Sequence, residues 1–146
     1  MAIINNKIKA LKNDRDENIF IGMDLPFRKS DGTVGYFEST TTTFTSVRNN
    51  IKSLLMTTKG ERIMQPSLGL NLRKYLFQQM NDDTTILIEN DIYDALKFWL
   101  PFVEIVDIII TSAEESDIGR NSFKIDVKFS ISRSNNYFDT VNVTIT

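Results

Sequence analysis

The sequence predicts an α+β fold, with about three helices packed on one face of a small, mainly antiparallel C-terminal sheet and an N-terminal arm or hairpin before them. Two observations predict it. Apolar residues recur at helical spacing through the middle of the chain, and the period changes to two after Pro101. Helices followed by consecutive strands are typical of α+β domains, in which the helices cover one face of the sheet.

Composition limits the function. The chain has 146 residues, enough for one domain that we divide into an N-terminal arm and hairpin (1–40), a helical part (41–101) and a β-meander (102–146). It contains no histidine and no cysteine, which excludes His-based triads, cysteine nucleophiles and imidazole or thiolate metal sites. We also expect no cofactor. A net charge of −2 argues against nucleic acid, and no apolar run is long enough to span a membrane.

The first 40 residues predict little regular structure. Residues 1–18 mix apolar and polar types, which fits a short helix, an arm that orders on a partner, or a frayed terminus. Between Ile19 and Thr40 two short extended pieces flank the turn signal Ser30-Asp31-Gly32-Thr33, and Pro26 favours extended backbone at Leu25. We expect a loose hairpin or an extended arm here.

The helical part contains three predicted helices. The first runs from about Thr43 to Thr58, after hydroxyls suited to an N-cap, and stops before Gly60, which suits a left-handed C′ position. A short helix is predicted over Leu70–Met80. The third ends at Pro101 and carries an apolar stripe of Ile88, Ile92, Leu96 and Trp99, with Tyr93 and Phe98 also expected in the core.

Three strands are predicted after Pro101. Val103–Thr111 is rich in β-branched residues, with Val106, Ile108 and Ile110 expected on one side and Ile109 suggesting cover on both faces. Phe123–Ile131 alternates apolar and polar residues, as a half-buried strand does. The last strand alternates in the same way and carries Val141, Val143 and Ile145.

The loop between the first two predicted helices carries a longer pattern: Asn50-Ile51, Leu54-Leu55, Thr57, Gly60-Glu61-Arg62, Pro66, Gly69, Leu72 and Leu76-Phe77. This pattern resembles the signature of the baseplate wedge, or sheath-initiator, family of contractile phage tails, and similar proteins sit at the base of type VI secretion sheaths. Gly22-Met23-Asp24-Leu25-Pro26-Phe27 resembles the leader of the family's tail-phage branch. One family marker is changed: its Glu-Pro-Arg triplet is Leu100-Pro101-Phe102 here, which leaves either an apolar contact or two core residues.

The resemblance implies a structural subunit of the tail baseplate in the virion, synthesised in the host cytoplasm, that links the wedge complex to the first sheath ring and nucleates sheath assembly. It implies other wedge proteins and the tail sheath protein as partners, with tube or hub proteins as further candidates, and no small-molecule substrate. The residues expected to shape the loop or face a partner are Gly60, Glu61, Arg62, Pro66, Gly69 and Pro101. Arg62 is expected to hydrogen-bond backbone or carboxylate groups of the loop. The basic residues around the loop fit either a solvated helical face of mixed charge or a surface for an acidic partner segment: Lys52, Lys59, Arg62, Arg73 and Lys74.

The last predicted strand carries a further candidate site for a partner, at the edge of the sheet. No charge, proline or other protection follows Val141, Val143 and Ile145, so we expect an open sheet edge that faces the sheath, with an interior strand as the alternative.

One enzymatic alternative stays open, because some family members have been described as lysozymes. Glycoside hydrolysis needs two facing carboxylates, one with a raised pKa. The candidates are Glu61, Glu89, Asp91 and Glu104, and nothing in the sequence pairs them.

Overall fold

The computed structural model describes residues 20–29, 36–79, 81–112, 122–131 and 138–145. Their elements follow in chain order: β1 (Gly22–Met23), β2 (Ser39–Thr40), α1 (Thr43–Met56), a 3₁₀ helix (Leu72–Phe77), α2 (Asp82–Trp99), β3 (Val103–Ser112), β4 (Phe123–Ile131) and β5 (Phe138–Ile145). This confirms the α+β class. The expected arm over residues 1–18 and the hairpin turn at 30–33 lie outside the described residues.

The N-terminal hairpin is confirmed in its two strands. β1 and β2 pair antiparallel, with Gly22 opposite Thr40 and Met23 opposite Ser39. Helix α1 holds this hairpin, because the buried Asn49 side chain donates hydrogen bonds to the Met23 carbonyl (3.3 Å) and to Asp24 Oδ1 (3.1 Å). The Leu25–Pro26 peptide bond is cis. The segment that resembles the family leader is therefore attached to α1 by the Met23 carbonyl and the Asp24 carboxylate.

The helices follow the predicted apolar stripes. In α1 the buried face comprises Phe44, Val47, Ile51, Leu54 and Leu55, and in α2 it includes Ile88, Ile92 and Leu96. The α2 helix ends at Trp99. Leu100 lies outside it because the following Pro101 disfavours helical backbone at the preceding residue. The expected position of Tyr93 and Phe98 is wrong: both are exposed, Phe98 at 75%, because α2 buries only the stripe that faces the sheet.

The first helix does not end as Gly60 suggested. Helix α1 stops at Met56, its C-cap Thr57 has extended backbone, and Gly60 takes its positive φ of 91° three residues later, inside the loop. The short helix predicted over Leu70–Met80 is the six-residue 3₁₀ helix, which buries Leu72 and Tyr75.

The C-terminal sheet has the order β3-β4-β5, antiparallel throughout, and its apolar face forms the core with the helices. Strand β4 buries its odd-numbered residues, as predicted. Strand β3 contains a bulge between Ile105 and Asp107. The bulge inserts one residue, so Ile105 and Ile108 pack against the core while Val106 is 49% exposed, and the expected grouping of Val106 with Ile108 and Ile110 is wrong. Ile109 is exposed as well, so the described residues do not cover both faces.

Candidate partner-binding surfaces

The loop of residues 60–69 is closed at its base by backbone contacts. The Leu70 N–H donates to the Thr57 carbonyl (2.9 Å), and the Thr57 hydroxyl donates to the Ser53 carbonyl (2.6 Å). Gly69 passes so close to this junction that an added Cβ would lie 2.2 Å from the Thr57 carbonyl oxygen. With a φ of 103°, Gly69 is required both for its conformation and for its lack of a side chain.

Further hydrogen bonds order the interior of the 60–69 loop. The Gly60 N–H donates to the Pro66 carbonyl (2.8 Å), which closes the loop across its middle. The Glu61 carboxylate accepts the Thr58 N–H (3.0 Å), while the Glu61 N–H donates to the Thr58 carbonyl (3.1 Å). A turn follows, in which the Gln65 N–H donates to the Arg62 carbonyl (3.1 Å). The loop is a defined structure and not a flexible connection.

The two members of the charged pair differ in role. Glu61 makes the hydrogen bond that stabilises the loop. Arg62 has no hydrogen bond or ion pair from its side chain to any described residue, so the bond expected of it is not found there. Its side chain is exposed and lines a shallow depression of about 220 Å³, which we call the Arg62 depression, together with Asn50, Ser53, Leu54, Leu68, Trp99 and Leu100.

Two residues that the sequence analysis passed over lie at the loop tip. Ile63 and Met64 are 94% and 96% exposed, and we call this pair the loop knob. The signal that would have found them is positional: two large apolar residues stand between a charged pair and Pro66, in a segment with neither helical nor strand periodicity. Nothing in such a segment provides a core for them.

The Pro101 region lies beside the same loop. Leu100 is half-buried against the core and lines the Arg62 depression. Pro101 and Phe102 are exposed in a turn closed by the Val103 N–H donating to the Leu100 carbonyl (2.9 Å). Of the two apolar replacements in the triplet, Leu100 therefore belongs to the core edge and Phe102 to the surface.

A larger cleft, about 570 Å³, separates the 60–69 loop from α2. In it Asp91 Oδ2 accepts hydrogen bonds from Lys74 Nζ (3.0 Å) and from the Tyr75 hydroxyl (2.8 Å). Burial by itself favours a higher pKa for Asp91, but the two hydrogen bonds together with the positive charges of Lys74 and Lys59 lower the pKa below its ordinary value. The hydrogen bonds with Tyr75 and Asp91 raise the pKa of Lys74, and burial raises that of Tyr75. The cluster fastens the 3₁₀ helix to α2.

The last strand is an outer strand of the sheet. β5 pairs with β4 from Phe138 to Ile145 without a register shift, and no described strand pairs with its other side. Val141, Val143 and Ile145 are buried and point into the core. These three residues, which mark the strand expected to face the sheath, therefore anchor β5 in the domain.

The described residues contain no group of three or more carboxylate, imidazole or thiol side chains that could hold a metal ion. None of the helices in the described part of the chain is long and apolar enough to cross a membrane. Arg62 lines the Arg62 depression and directly precedes the loop knob in the chain, and the Pro101 turn follows Leu100 at the edge of the depression.

Comparison with known proteins identifies the family. A family model described as "Baseplate wedge protein gp25" matches residues 42–136. The chain belongs to this family. It is accordingly a component of a tail baseplate. The match covers α1, the 60–69 loop, the 3₁₀ helix, α2, β3 and β4, whereas β1, β2 and β5 lie outside it. No curated protein sequence matches the chain significantly.

Three solved structures share the gp25-family fold seen here. A crystal structure from Geobacter sulfurreducens, provisionally described as a tail lysozyme, is 27% identical, with a TM-score of 0.59 over 68% of this chain and 86% of its own. A subunit of the anti-feeding prophage baseplate is 24% identical (TM-score 0.62, 75% of this chain and 83% of its own). A subunit of the type VI secretion baseplate complex is 16% identical (TM-score 0.56, 68% and 89%). The last two likenesses show the fold alone.

Proposed function

We propose that this baseplate component is a structural wedge subunit that links the wedge complex to the first sheath ring and nucleates sheath assembly. The observation that carries the proposal is the outer strand β5. No described strand pairs with its free side, where an extended arm of a sheath protein can add as a further strand. Other wedge proteins bind elsewhere, and the region around the 60–69 loop is the candidate for that contact.

The two edges of the sheet differ in protection. The outer strand β3 contains the bulge and carries exposed acids at Glu104 and Asp107, features that discourage pairing with another strand. Strand β5 has a regular register and exposes the short neutral side chains Asn142 and Thr144, and its acid, Asp139, forms an ion pair with Arg48 of α1 (3.9 Å). Three buried side chains and the packing of α1 behind it hold β5 in place, so a partner strand meets an ordered template.

The experiment blocks this edge without disturbing the core. Deleting Val141–Thr146 would remove three buried apolar side chains, each contributing about 1.5–3 kcal/mol, so substitutions on the exposed face are cleaner. We expect Asn142→Lys/Thr144→Lys to keep the wild-type unfolding transition and wedge incorporation but to stop sheath growth on isolated baseplates, because edge lysines oppose strand addition.

The matched control places the same charges on the other edge. Ile109→Lys/Thr111→Lys changes two exposed residues of β3 and should leave sheath growth unchanged. Electron microscopy of baseplates mixed with sheath protein measures both variants. Normal sheaths on the Asn142→Lys/Thr144→Lys baseplates, or equal loss in the control, would refute the role of β5.

The alternative is a peptidoglycan-degrading glycoside hydrolase, suggested by the provisional description of the Geobacter sulfurreducens structure. A general acid in such an enzyme needs a raised pKa, whereas that of Asp91 is lowered. Glu61 is bound to the loop backbone on an exposed segment. We therefore propose a non-catalytic role. Purified protein should leave labelled peptidoglycan intact, and hydrolysis lost in Glu61→Gln, Glu89→Gln, Asp91→Asn or Glu104→Gln would establish the alternative.

A further inference from the structure

The loop knob is the starting observation. Of the large apolar side chains that the structure describes as exposed, Ile63 and Met64 are the two most exposed, ahead of Phe77 and Phe98. Both side chains of the loop knob are therefore almost wholly in contact with water. Scattered exposed apolar residues are normal on proteins, but a contiguous pair on an ordered projection is a feature of binding surfaces.

The loop knob is held in position before any partner arrives. The 60–69 loop is closed at its base by the bond between Leu70 and Thr57, across its middle by that between Gly60 and Pro66, and at its tip by the turn from Arg62 to Gln65. A preorganised loop loses little conformational entropy on binding, which favours affinity from a small contact. The ordering also distinguishes the knob from an apolar pair that can fold back onto its own surface.

The surroundings of the loop knob define the chemistry of its partner. Lys59 and Arg62 are exposed in the same loop region, and the acid between them, Glu61, has its carboxylate bound to the Thr58 N–H. Arg62 has no side-chain partner among the described residues, and its guanidinium can take a carboxylate in a two-pronged hydrogen bond. Next to it lies the Arg62 depression, whose apolar wall is formed by Leu54, Leu68, Trp99 and Leu100.

We propose that Arg62, the loop knob and the Arg62 depression form one docking surface for a segment of another baseplate protein that carries a carboxylate between apolar side chains. The carboxylate pairs with Arg62, one apolar side chain fills the depression and the other packs on Ile63 and Met64. The partner needs an acid because its charge complements that of Arg62. It needs apolar neighbours beside the acid because Arg62 directly precedes the loop knob in the chain and also lines the depression. The identity of the partner as a baseplate protein rests on the proposed function.

A membrane surface fits these features less well than a protein segment. Basic residues near an anionic membrane contribute only about 1 kcal/mol each, and this loop region has two such cations. Lipid would cover Ile63 and Met64 but leave the Arg62 depression, with its half-buried Trp99 and Leu100, without a complementary group. A protein segment can satisfy the projection, the cation and the depression together.

The first test locates the partner by cross-linking. A photo-reactive amino acid replaces Met64 in the full chain within assembled baseplates, and mass spectrometry identifies the linked peptide. We expect a segment of a different baseplate protein with an Asp or Glu flanked by apolar residues. A link to lipid, to a second copy of this chain or to a segment without an acid overturns the proposal, as does incorporation into baseplates without any link.

The second test measures the contact with a synthetic peptide of the linked segment. We expect Arg62→Met and Ile63→Ser/Met64→Ser each to weaken binding about tenfold or more, and Arg62→Lys to restore part of it, because lysine keeps the charge without the planar pair of donors. The matched control Ile86→Ser/Leu87→Ser removes two exposed apolar side chains of α2 and should bind as the wild type does. Unchanged binding of Arg62→Met, or equal loss in the control, overturns the proposal.

The two proposals fail in different ways. If the chain is incorporated into baseplates and sheath grows, but the Ile63→Ser/Met64→Ser variant assembles as well as the wild type, the docking surface is wrong and the proposed function stands. If sheath grows normally on the Asn142→Lys/Thr144→Lys baseplates while the cross-link is found, the sheath role is wrong and the docking surface stands. Unfolding of each variant is measured first, and we expect wild-type stability because Arg62, Ile63 and Met64 are exposed.

Discussion

Replacement of Gly69 by alanine tests the structure of the loop base. A residue other than glycine at a φ of 103° carries a backbone cost of about 1–2 kcal/mol. The added Cβ would lie 2.2 Å from the Thr57 carbonyl oxygen and 2.8 Å from its carbon, both backbone atoms, so the junction has to open. Opening it weakens the hydrogen bond from the Leu70 N–H, worth about 0.5–1.5 kcal/mol.

The sum gives the expected magnitude. Gly69→Ala should lower the free energy of unfolding by about 1.5–3.5 kcal/mol, which for a chain of this size corresponds to a Tm roughly 3–14 °C lower. Gly60→Ala is the matched control, because Gly60 also has a positive φ but has no atom within 4 Å of an added Cβ. It should lose only the backbone part, about 1–2 kcal/mol.

Chemical denaturation with urea, followed by the fluorescence of Trp99, measures both variants under the same conditions. The informative quantity is the difference between them, since it isolates the close approach of Gly69 to Thr57. Equal destabilisation of Gly60→Ala and Gly69→Ala, or a Gly69→Ala protein as stable as the wild type, would refute the argument that the junction excludes a side chain.

Further predictions concern the cluster in the cleft and the N-terminal hairpin. The pKa of Asp91 is lowered in the fold, so its ion pair with Lys74 stabilises the protein above pH 3.8 and the contribution is lost as the pH falls through the lowered value. Asp91→Asn should therefore cost less than about 1 kcal/mol at neutral pH, since the pair is partly exposed, and flatten the acid limb of the stability curve; an unchanged acid limb contradicts this. Asn49→Ala removes the bonds to Met23 and Asp24, and should cost about 1–3 kcal/mol and speed proteolysis near residue 24, as limited digestion can measure.

The sequence determined the regular elements because hydrophobic periodicity is a local property of the chain. The stripe of Ile88, Ile92 and Leu96 is buried in α2, and the alternation from Phe123 to Ile131 is the inward face of β4. The apolar residues of β5 alternate with polar ones in the same way, and they too are buried. Each of these patterns repeats over enough residues to fix both the type of element and its buried face.

Pairing between strands decided which residues of β3 face the core, which hydrophobic periodicity left open. The sequence of β3 offers apolar residues at 105, 106, 108, 109 and 110, so alternation alone fits more than one inward set. The register with β4 places a bulge between Ile105 and Asp107, which turns Val106 outward and keeps Ile108 inward. The position of a bulge depends on the partner strand, and one strand's sequence does not contain it.

Helix packing decided which aromatic side chains of α2 are buried and which are exposed. Phe98 is apolar and Tyr93 is apolar apart from its hydroxyl, and their aromatic rings favoured the core for both. The helix contacts the sheet along one face, however, and these two side chains lie outside that face. Only the placement of α2 against β3 and the 3₁₀ helix determines which aromatic residues remain in water.

The 60–69 loop shows most clearly which features the sequence determined and which the tertiary structure decided. The sequence by itself determined that a turn-rich loop lies here, because Gly60 and Gly69 adopt backbone conformations that other residues avoid and Pro66 restricts the chain between them. The tertiary structure decided that Gly69 lies against Thr57, that Glu61 and not Arg62 is bound within the loop, and that the loop knob projects into water. Those outcomes depend on distances between segments that only the packed helices set, and local sequence carries no record of them.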